Sequence, residues 1–320
     1  MTNVLVVGGA GYIGSHVVKK LLEDNFSVLV FDNLSTGHAD AVPQTHLIIG
    51  DLSNIADIER CFKNNKIDIV MHFASSIAVG ESVIDPAKYY RNNVVNTINL
   101  LDVMRTHSVN NIIFSSTAAV YGNPIETPIS IDHPRNPINP YGKSKAMVEQ
   151  IIDDYHRAYG LNYVFFRYFN AAGADPSGTL GERHDPETHL IPLALQVAQG
   201  IKKEFLLYGD DYDTNDGTCI RDYIHVCDIA TAHVLGIDYL LHQKKSSCFN
   251  LGTNHGSSVA EVIACVERVT QKKITVKTEK RRAGDSPVLV ADATSARKVL
   301  RWQPQYPQLE RMIEDAWKSK

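Results

Sequence analysis

The run Val4-Leu5-Val6-Val7 passes directly into Gly8-Gly9-Ala10-Gly11-Tyr12-Ile13-Gly14, and beyond it Val17, Val18, Leu21 and Leu22 recur at helical spacing. An apolar run without alternation predicts a strand buried on both faces, which is a strand of a parallel sheet. Parallel strands need long crossovers, so this first unit already dictates a chain of strands and helices in alternation. The G-x-x-G-x-x-G turn lets backbone approach a pyrophosphate closely, and the helix beyond it offers free N–H groups to the phosphates. Three spaced glycines also suit a tight structural turn, so the residues that follow have to decide between the two.

A second strand, Ser27-Val28-Leu29-Val30-Phe31, ends at Asp32, 24 residues after Gly8. A carboxylate at that place accepts both hydroxyls of an adenosine ribose and repels a 2′-phosphate, which favours NAD over NADP. Further strands are expected at Leu47-Ile48-Ile49, Ile69 to Phe73 and Ile112-Ile113-Phe114, with helical stretches between them. Asp51 then falls at a strand end beside the adenine, and Phe73-Ala74-Ser75 beside the pyrophosphate. His72, inside an apolar strand, reads as a satisfied core histidine. Alternation over some 170 residues means a doubly wound parallel sheet of the Rossmann type, with its site at the C-terminal ends of the strands.

Ser115-Ser116-Thr117 follows the fifth apolar run, which puts hydroxyls on that rim. Asn139-Pro140 reads as a helix cap followed by proline at the first helical position. Tyr141 then lies in the first turn, with Lys145 one turn later on the same face. A phenol with a pKa of about 10 is a poor base at neutrality. A cation at i+4, and more weakly the positive end of the helix, favour the phenolate.

Composition narrows the class. The 320 residues are 44% hydrophobic and 21% charged, which predicts a folded α/β chain with a large core. Net charge is −4 and no basic run offers a face for nucleic acid. Cys61, Cys219, Cys227, Cys248 and Cys265 lack CxxC spacing, so neither a disulfide framework nor a zinc site is expected. No apolar run approaches the ~20 residues of a membrane span, and no signal segment precedes Val4. A cytoplasmic protein is the expectation.

After the strand Tyr163 to Phe166 the pattern becomes irregular, as suits a smaller α/β domain that closes over a ligand. A helix opens at His189-Leu190-Ile191-Pro192, Leu206-Leu207-Tyr208 forms a short strand, and Ser258-x-x-Glu261 makes a capping box. Guanidinium forks bind phosphate, so Arg221 and Arg282 suit a pyrophosphate. Asp285 suits ribose hydroxyls, and Tyr208 can stack on a base. Equally, Arg221-Asp222 can be a surface ion pair and Tyr208 a core residue.

Several segments together resemble one known family. They are Asp32-Asn33-Leu34-Ser35-Thr36-Gly37, His72-Phe73-Ala74, Val79-Gly80-Glu81-Ser82, Tyr89-Tyr90 with Asn92-Asn93, and Phe114 to Thr117. Tyr141 to Lys145, Arg167-Tyr168-Phe169-Asn170, Asp216-Gly217-Thr218, Arg221 to Val226 and Arg281 to Asp285 complete the set. The match, from residue 4 to about 317, is to the UDP-glucose 4-epimerases, in the sugar-nucleotide branch of the extended short-chain dehydrogenase/reductases.

The resemblance implies tightly bound NAD held by Gly8, Gly11, Tyr12, Ile13, Gly14, Asp32, Asn33, Asp51, Leu52, Phe73, Ala74, Ser75, Asn92, Ser115, Tyr141, Lys145 and Phe169. It implies catalysis by Tyr141, Lys145 and Thr117, and UDP-glucose or UDP-galactose held by Thr117, Asn170, His189, Leu190, Tyr208, Arg221, Arg282, Asp285 and Leu289. Residues 1–170 are expected to hold NAD and 171–320 the UDP-sugar, with about 221–245 packing back on the first domain. A homodimer is implied, through the helix containing Tyr89-Tyr90 and the one from Met147 to Tyr155. Leu289 falls where the family lines its hexose pocket, and leucine there implies some turnover of N-acetylhexosamines. The chain has Thr117 where many members have serine, which keeps the hydroxyl, and Ile77 where some have a phosphate-binding lysine.

The rivals are a sugar-nucleotide 4,6-dehydratase or decarboxylase and a non-catalytic NAD sensor. A dehydratase needs an acidic pair where Ala118-Ala119 stands, and a sensor is expected to lose Tyr141 or Lys145.

Overall fold

In the computed structural model, which describes residues 1–243, 245–282 and 285–319, alternating side chains of the first strand build two different cores. Val4 and Val6 of β1 (Asn3–Val7) face one layer, while Leu5 and Val7 face the other. β2 (Ser27–Asp32), β3 (Leu47–Ile49), β4 (Ile69–His72), β5 (Asn111–Thr117) and β6 (Asn162–Tyr168) join it in parallel register. After β7 (Asn170–Ala172), β8 (Phe205–Tyr208) and β9 (Ile220–His225), the chain returns with β10 (Ser247–Leu251) beside β6. The seven-stranded order is β10-β6-β5-β4-β1-β2-β3, so the winding reverses between β1 and β4 and opens a crevice there.

One face of this sheet is covered by α1 (Tyr12–Glu23), the other by α2 (Ile55–Asn64), α5 (Asn96–Thr106) and α6 (Pro140–Tyr159). α5 is reached through α3 (Val79–Ile84), α4 (Pro86–Tyr89) and a π-helical turn over Tyr90–Val95. The helix expected around Tyr89-Tyr90 is present as one continuous helical run from Pro86 to Thr106, which widens from α to π at that dipeptide. Tyr89 is wholly buried, its one hydroxyl proton shared between Ala78 O at 2.6 Å and Glu81 Oε2 at 2.8 Å. α6 begins as the sequence predicts: Asn139 Oδ1 accepts from Gly142 N at 2.8 Å and Pro140 takes the first turn.

The remainder of the chain is split. α7 (Leu190–Ala198), α9 (Val259–Thr270) and α11 (Leu309–Lys318) share a separate core with β8 and β9. α8 (Val226–Asp238) and residues around α10 (Thr294–Val299), including the buried Trp302, pack instead with Val17, Leu21 and Phe166 on the first sheet. β11 (Gly256–Ser258), β13 (Val288–Leu289) and β7 all pair with β9, and β12 (Val276–Glu279) pairs with β8. Ser258 and Glu261 form the expected capping box at α9.

Candidate active site

The glycine turn is shaped by close backbone packing. Gly8 has φ +77°, and a Cβ there would lie 2.4 Å from Ala74 N; one on Gly14 would lie 2.3 Å from Gly8 O. At Gly11 the nearest neighbour would be 3.5 Å away, so this position keeps room above the first turn of α1. That bare, amide-rich space fits a pyrophosphate. Asp32 accepts from Ala10 N at 2.9 Å and Leu34 N at 2.8 Å, and each oxygen retains a second lone pair for a ribose hydroxyl. Asp51 accepts from Asn33 Nδ2 and Ser53 N, both at 2.7 Å, and the Asn33 bond leads in holding its carboxyl below the usual range.

Leu52 is buried, Ile13 packs on the core, and Tyr12 donates to Gly173 O at 2.6 Å, tying α1 to the segment after β7. Phe73 stacks obliquely on His233 at 4.9 Å. Beyond Ala74 and Ser75, Asn92 Nδ2 reaches Ser76 Oγ at 3.2 Å. The stronger tie is the neighbouring Asn93, buried, which accepts from Ser76 N at 2.8 Å and donates to Ser144 Oγ at 3.0 Å. Asn93 thus joins the loop after β4 to the helix that carries Tyr141.

β5 runs on through Ser115, Ser116 and Thr117, so the rim hydroxyls belong to the strand and do not follow it as the apolar run suggested. Their polar groups are satisfied laterally: Ser115 Oγ meets the Tyr168 hydroxyl, and Ser116 Oγ donates to Glu149 at 2.6 Å. Thr117 Oγ1 accepts from Ala119 N at 3.2 Å and also bonds the Tyr141 phenol. Phe169 packs near this end of the strand with Ala118 and Tyr121.

Lys145 is buried and donates to Ser115 O at 3.0 Å, with its ammonium 4.9 Å from the Phe114 ring centroid. Burial pushes Lys145 down to about 7, against the pull of Glu149. Tyr141 departs from the expected direction: burial raises its phenol, and the Thr117 hydrogen bond only partly offsets this. His72 is the core residue foreseen, bonded to Thr97 Oγ1 at 2.8 Å and held down to about 3 by burial and by Lys145.

A second group lies on the later loops. Arg282 sits 4.9 Å over the Tyr208 ring and donates to Asp285 at 3.0 Å. Arg221 donates to Ser286 O at 2.8 Å, with Asp285 3.9 Å away. These four predicted nucleotide ligands are thus brought together; Ala283 and Gly284 of the same motif lie outside the described residues. Leu289 pairs with Arg221 across β13 and β9, and its side chain packs against the small core that includes Ala118, Tyr121, Ile129 and Phe169. It therefore bridges this group and the Thr117 rim.

Asn170 Nδ2 donates to Asp222 O at 3.2 Å. Asp222 itself is no surface partner of Arg221. It is wholly buried and binds Thr253 N at 2.8 Å, with Asn254 N and Ala291 N at 3.1 Å. The His189 imidazole is turned to Glu182, beside His184, and Leu190 packs on the core of α7, α9 and α11. Neither side chain is engaged with Arg221 or Arg282.

A dinucleotide turn, a strand-end hydroxyl and a Tyr-x-x-x-Lys helix on one rim define the extended short-chain dehydrogenase/reductases. The family described as GDP-mannose 4,6 dehydratase matches residues 5–316. Within that class the chain belongs to the UDP-glucose 4-epimerase family. It is 49% identical to the UDP-glucose 4-epimerase of Halalkalibacterium halodurans over 98% of this chain and 94% of that one. The crystal structure of the Brucella ovis UDP-glucose 4-epimerase in complex with NAD superposes with TM-score 0.96 at 48% identity, covering 99% and 98% of the two chains. The Bifidobacterium longum enzyme in complex with NAD+ and UDP gives 0.94 at 42%, covering 99% and 98%.

Proposed function

We propose that the protein interconverts UDP-glucose and UDP-galactose, inverting C4 of the hexose with no net redox change. The observation that carries this reading is the meeting of Thr117, Tyr141 and Lys145 at the end of β5, on the same edge of the parallel sheet as the glycine turn after β1. Gly8 to Gly14, Asp32, Asp51, Phe73 to Ser75 and Lys145 would hold NAD, which supplies the acceptor and donor of the C4 hydride.

Tyr141 takes the O4 proton as the alcohol becomes a ketone and returns it when the alcohol re-forms. Thr117, already bonded to the phenol, directs O4 toward it. The Lys145 ammonium stabilises the phenolate against the burial that raises it. Arg221, Arg282, Asp285 and Tyr208 grip the UDP portion, so binding energy comes from a part of the substrate that does not react. The hexose stays loosely held and the 4-keto sugar can turn its other face to the dinucleotide.

The 4,6-dehydratase reading is disfavoured because Thr117 leads into a turn of Ala118, Ala119 and Val120, with no acid to drive elimination. Residues 1–170 are assigned to the cofactor and 171–320 to the UDP-sugar; the segment expected to return at about 221–245 is better drawn as α8 and β10, since β9 pairs with β7, β11 and β13 instead. No helix among the described residues is long and apolar enough to cross a membrane, and we place the enzyme in the cytoplasm. A homodimer is proposed through the helix containing Tyr89-Tyr90 and the one from Met147 to Tyr155, on which Val95 and Met147 are exposed.

Purified protein is denatured, the released dinucleotide is identified by chromatography, and UDP-galactose conversion is assayed. NAD or NADH at high occupancy together with UDP-glucose formation is expected. NADP, or no conversion by NAD-loaded protein, overturns the reading.

A further inference from the structure

Helix α6 repeats its chemistry once more below the motif: Tyr141, Lys145 and Glu149 stand four residues apart and share one face. Glu149 is 1% exposed. Its Oε1 accepts from Ser116 Oγ at 2.6 Å and Arg167 Nε at 2.8 Å. Its Oε2 accepts from Arg167 Nη2 at 2.6 Å and Arg135 Nη1 at 2.9 Å. One carboxylate thus ties α6 to β5, to β6 and to the loop before the helix. Arg167 extends the network to the Tyr121 hydroxyl at 3.0 Å, which donates to Asn250 of β10 at 2.6 Å.

Two consequences follow. Ser116 lies between Ser115, whose carbonyl holds Lys145, and Thr117, which bonds Tyr141. Ser116 points toward α6 and its neighbours' side chains to the other face, so fixing Ser116 to Glu149 fixes the strand backbone between them, including the Ser115 carbonyl that holds Lys145. The second consequence is charge. Arg135 and Arg167 are both cations, and without Glu149 the buried Lys145 would sit one helical turn from an unbalanced pair of positive charges.

Resting on the epimerase reading above, we propose that Glu149 is a positioning residue of this reaction: it keeps the Lys145 ammonium charged and holds β5 in register with α6. The other groups around Lys145 do not supply this charge balance. From β4 it is faced by His72, which is neutral, from β5 by the Ser115 carbonyl and the Phe114 ring, and from its own helix by Tyr141. Tyr168 on β6 bonds the Ser115 hydroxyl. Burial lowers Lys145 and Glu149 is the group that opposes it, in keeping with this geometry.

The test is the pH dependence of UDP-galactose turnover by the NAD-loaded enzyme. Glu149→Gln keeps the shape and removes the charge, and its alkaline limb of kcat should move about one pH unit toward acid. KM for UDP-galactose should change less than about twofold, because the nucleotide ligands lie elsewhere. Ser116→Ala cuts the tie to β5 without touching charge, and should lower kcat at every pH with the limb unmoved. An unmoved limb in Glu149→Gln overturns the electrostatic role, and wild-type kcat in Ser116→Ala overturns the positional one. Should Glu149→Gln fail to fold, Arg135→Gln removes an opposing cation and must move the limb toward alkali; no movement overturns the proposal. Wild-type turnover, measured alongside, judges the epimerase reading separately. NMR titration of the Lys145 ammonium in both proteins reports on Glu149 even without turnover.

Discussion

The rim at the end of β5 and the cluster of nucleotide ligands on the later loops are built in opposite ways. At the rim, Ser115, Thr117, Lys145 and Glu149 are all buried, and each polar group already has a partner on another element. In the loop cluster, the Arg282 side chain is 61% exposed and Asp285 23% exposed, and the pair is only three residues apart in the chain. The rim is fixed before substrate arrives, which is what proton transfer to a defined oxygen requires. Arg282 is held by the single carboxylate of Asp285, from which a diphosphate must draw it, while Arg221 rests on the carbonyls of Ile220 and Ser286, so that region can adjust as it closes. The difference separates chemistry from grip, and it can be attacked from either side.

The largest effect should come from Tyr141→Phe. Removing the proton acceptor should lower kcat by about 10²–10⁴ while UDP affinity, measured by calorimetry, barely changes. Thr117→Val should cost less than that, and Thr117→Ser least of the three. Near-normal turnover in Tyr141→Phe would refute the assignment of the base. A parallel loss of UDP binding would show that rim and grip are not separable.

From the other side, Arg221→Ala removes a charged donor to the diphosphate. It should weaken UDP binding about 10–100-fold, the scale of ~1.5–3 kcal/mol for a charge-assisted hydrogen bond. kcat should fall by much less. A selective fall in kcat with UDP affinity intact would break the comparison.

The two kinds of construction also predict different responses to pH. Burial holds His72 on β4 down to about 3, His233 on α8, packed against the same sheet, down to about 4, and His225, also buried, to about 4. Such groups are neutral in the folded state, and the unfolded chain takes up protons below about 6.5, so stability present above that value is lost as pH falls toward 4. At pH 5 the loss should reach about 1–2 kcal/mol per imidazole in urea unfolding. His184 behaves oppositely: burial pulls it down, but Glu182 and Glu187 outweigh this and raise it to about 9. Its stabilisation is present below 6.5 and lost as pH rises to about 9. Hydrogen exchange should therefore loosen at 182–189 first on the alkaline side, and equal loosening of the sheet there would contradict the assignment.

The contrast also explains what the residues revealed beforehand. Apolar runs located β1, β2 and β4, because strands buried on both faces have no other pattern. The sheet's last strand, Ser247-Cys248-Phe249-Asn250-Leu251, mixes polar with apolar residues and carries no such signal. Asn250 is tolerated inside because it accepts from Tyr121 and donates to Ile129 O at 2.9 Å, partners far away in the chain. β5 looked shorter than it is for the same reason: its three hydroxyl residues are satisfied by Tyr168, Glu149 and Tyr141. Tyr141 and Lys145 were legible because their spacing is local to one helix. Glu149, Asn93 and Asp222 were not, since each owes its place to long-range partners. The spacing of Glu149 on α6 was the one local signal available.

Leu289 offers the smallest effect and the sharpest cut, because it belongs to both regions. Its backbone runs beside Arg221, and its side chain packs against the small core to which Ala118, the residue after Thr117, belongs. A hexose held at Thr117 and tethered through UDP at Arg221 must pass close to it. An acetamido group on that hexose is rejected by overlap, and leucine leaves more room than tyrosine. UDP-galactose should be the better substrate, with weaker but measurable turnover of UDP-N-acetylglucosamine. Leu289→Tyr should lower the second activity at least about tenfold, within the ~1–3 kcal/mol that a single misfitting group commands, and leave the first nearly unchanged. Loss of both sugars alike would mean that Leu289 supports the packing of the two regions, and wild-type indifference to UDP-N-acetylglucosamine would mean that another loop closes the pocket.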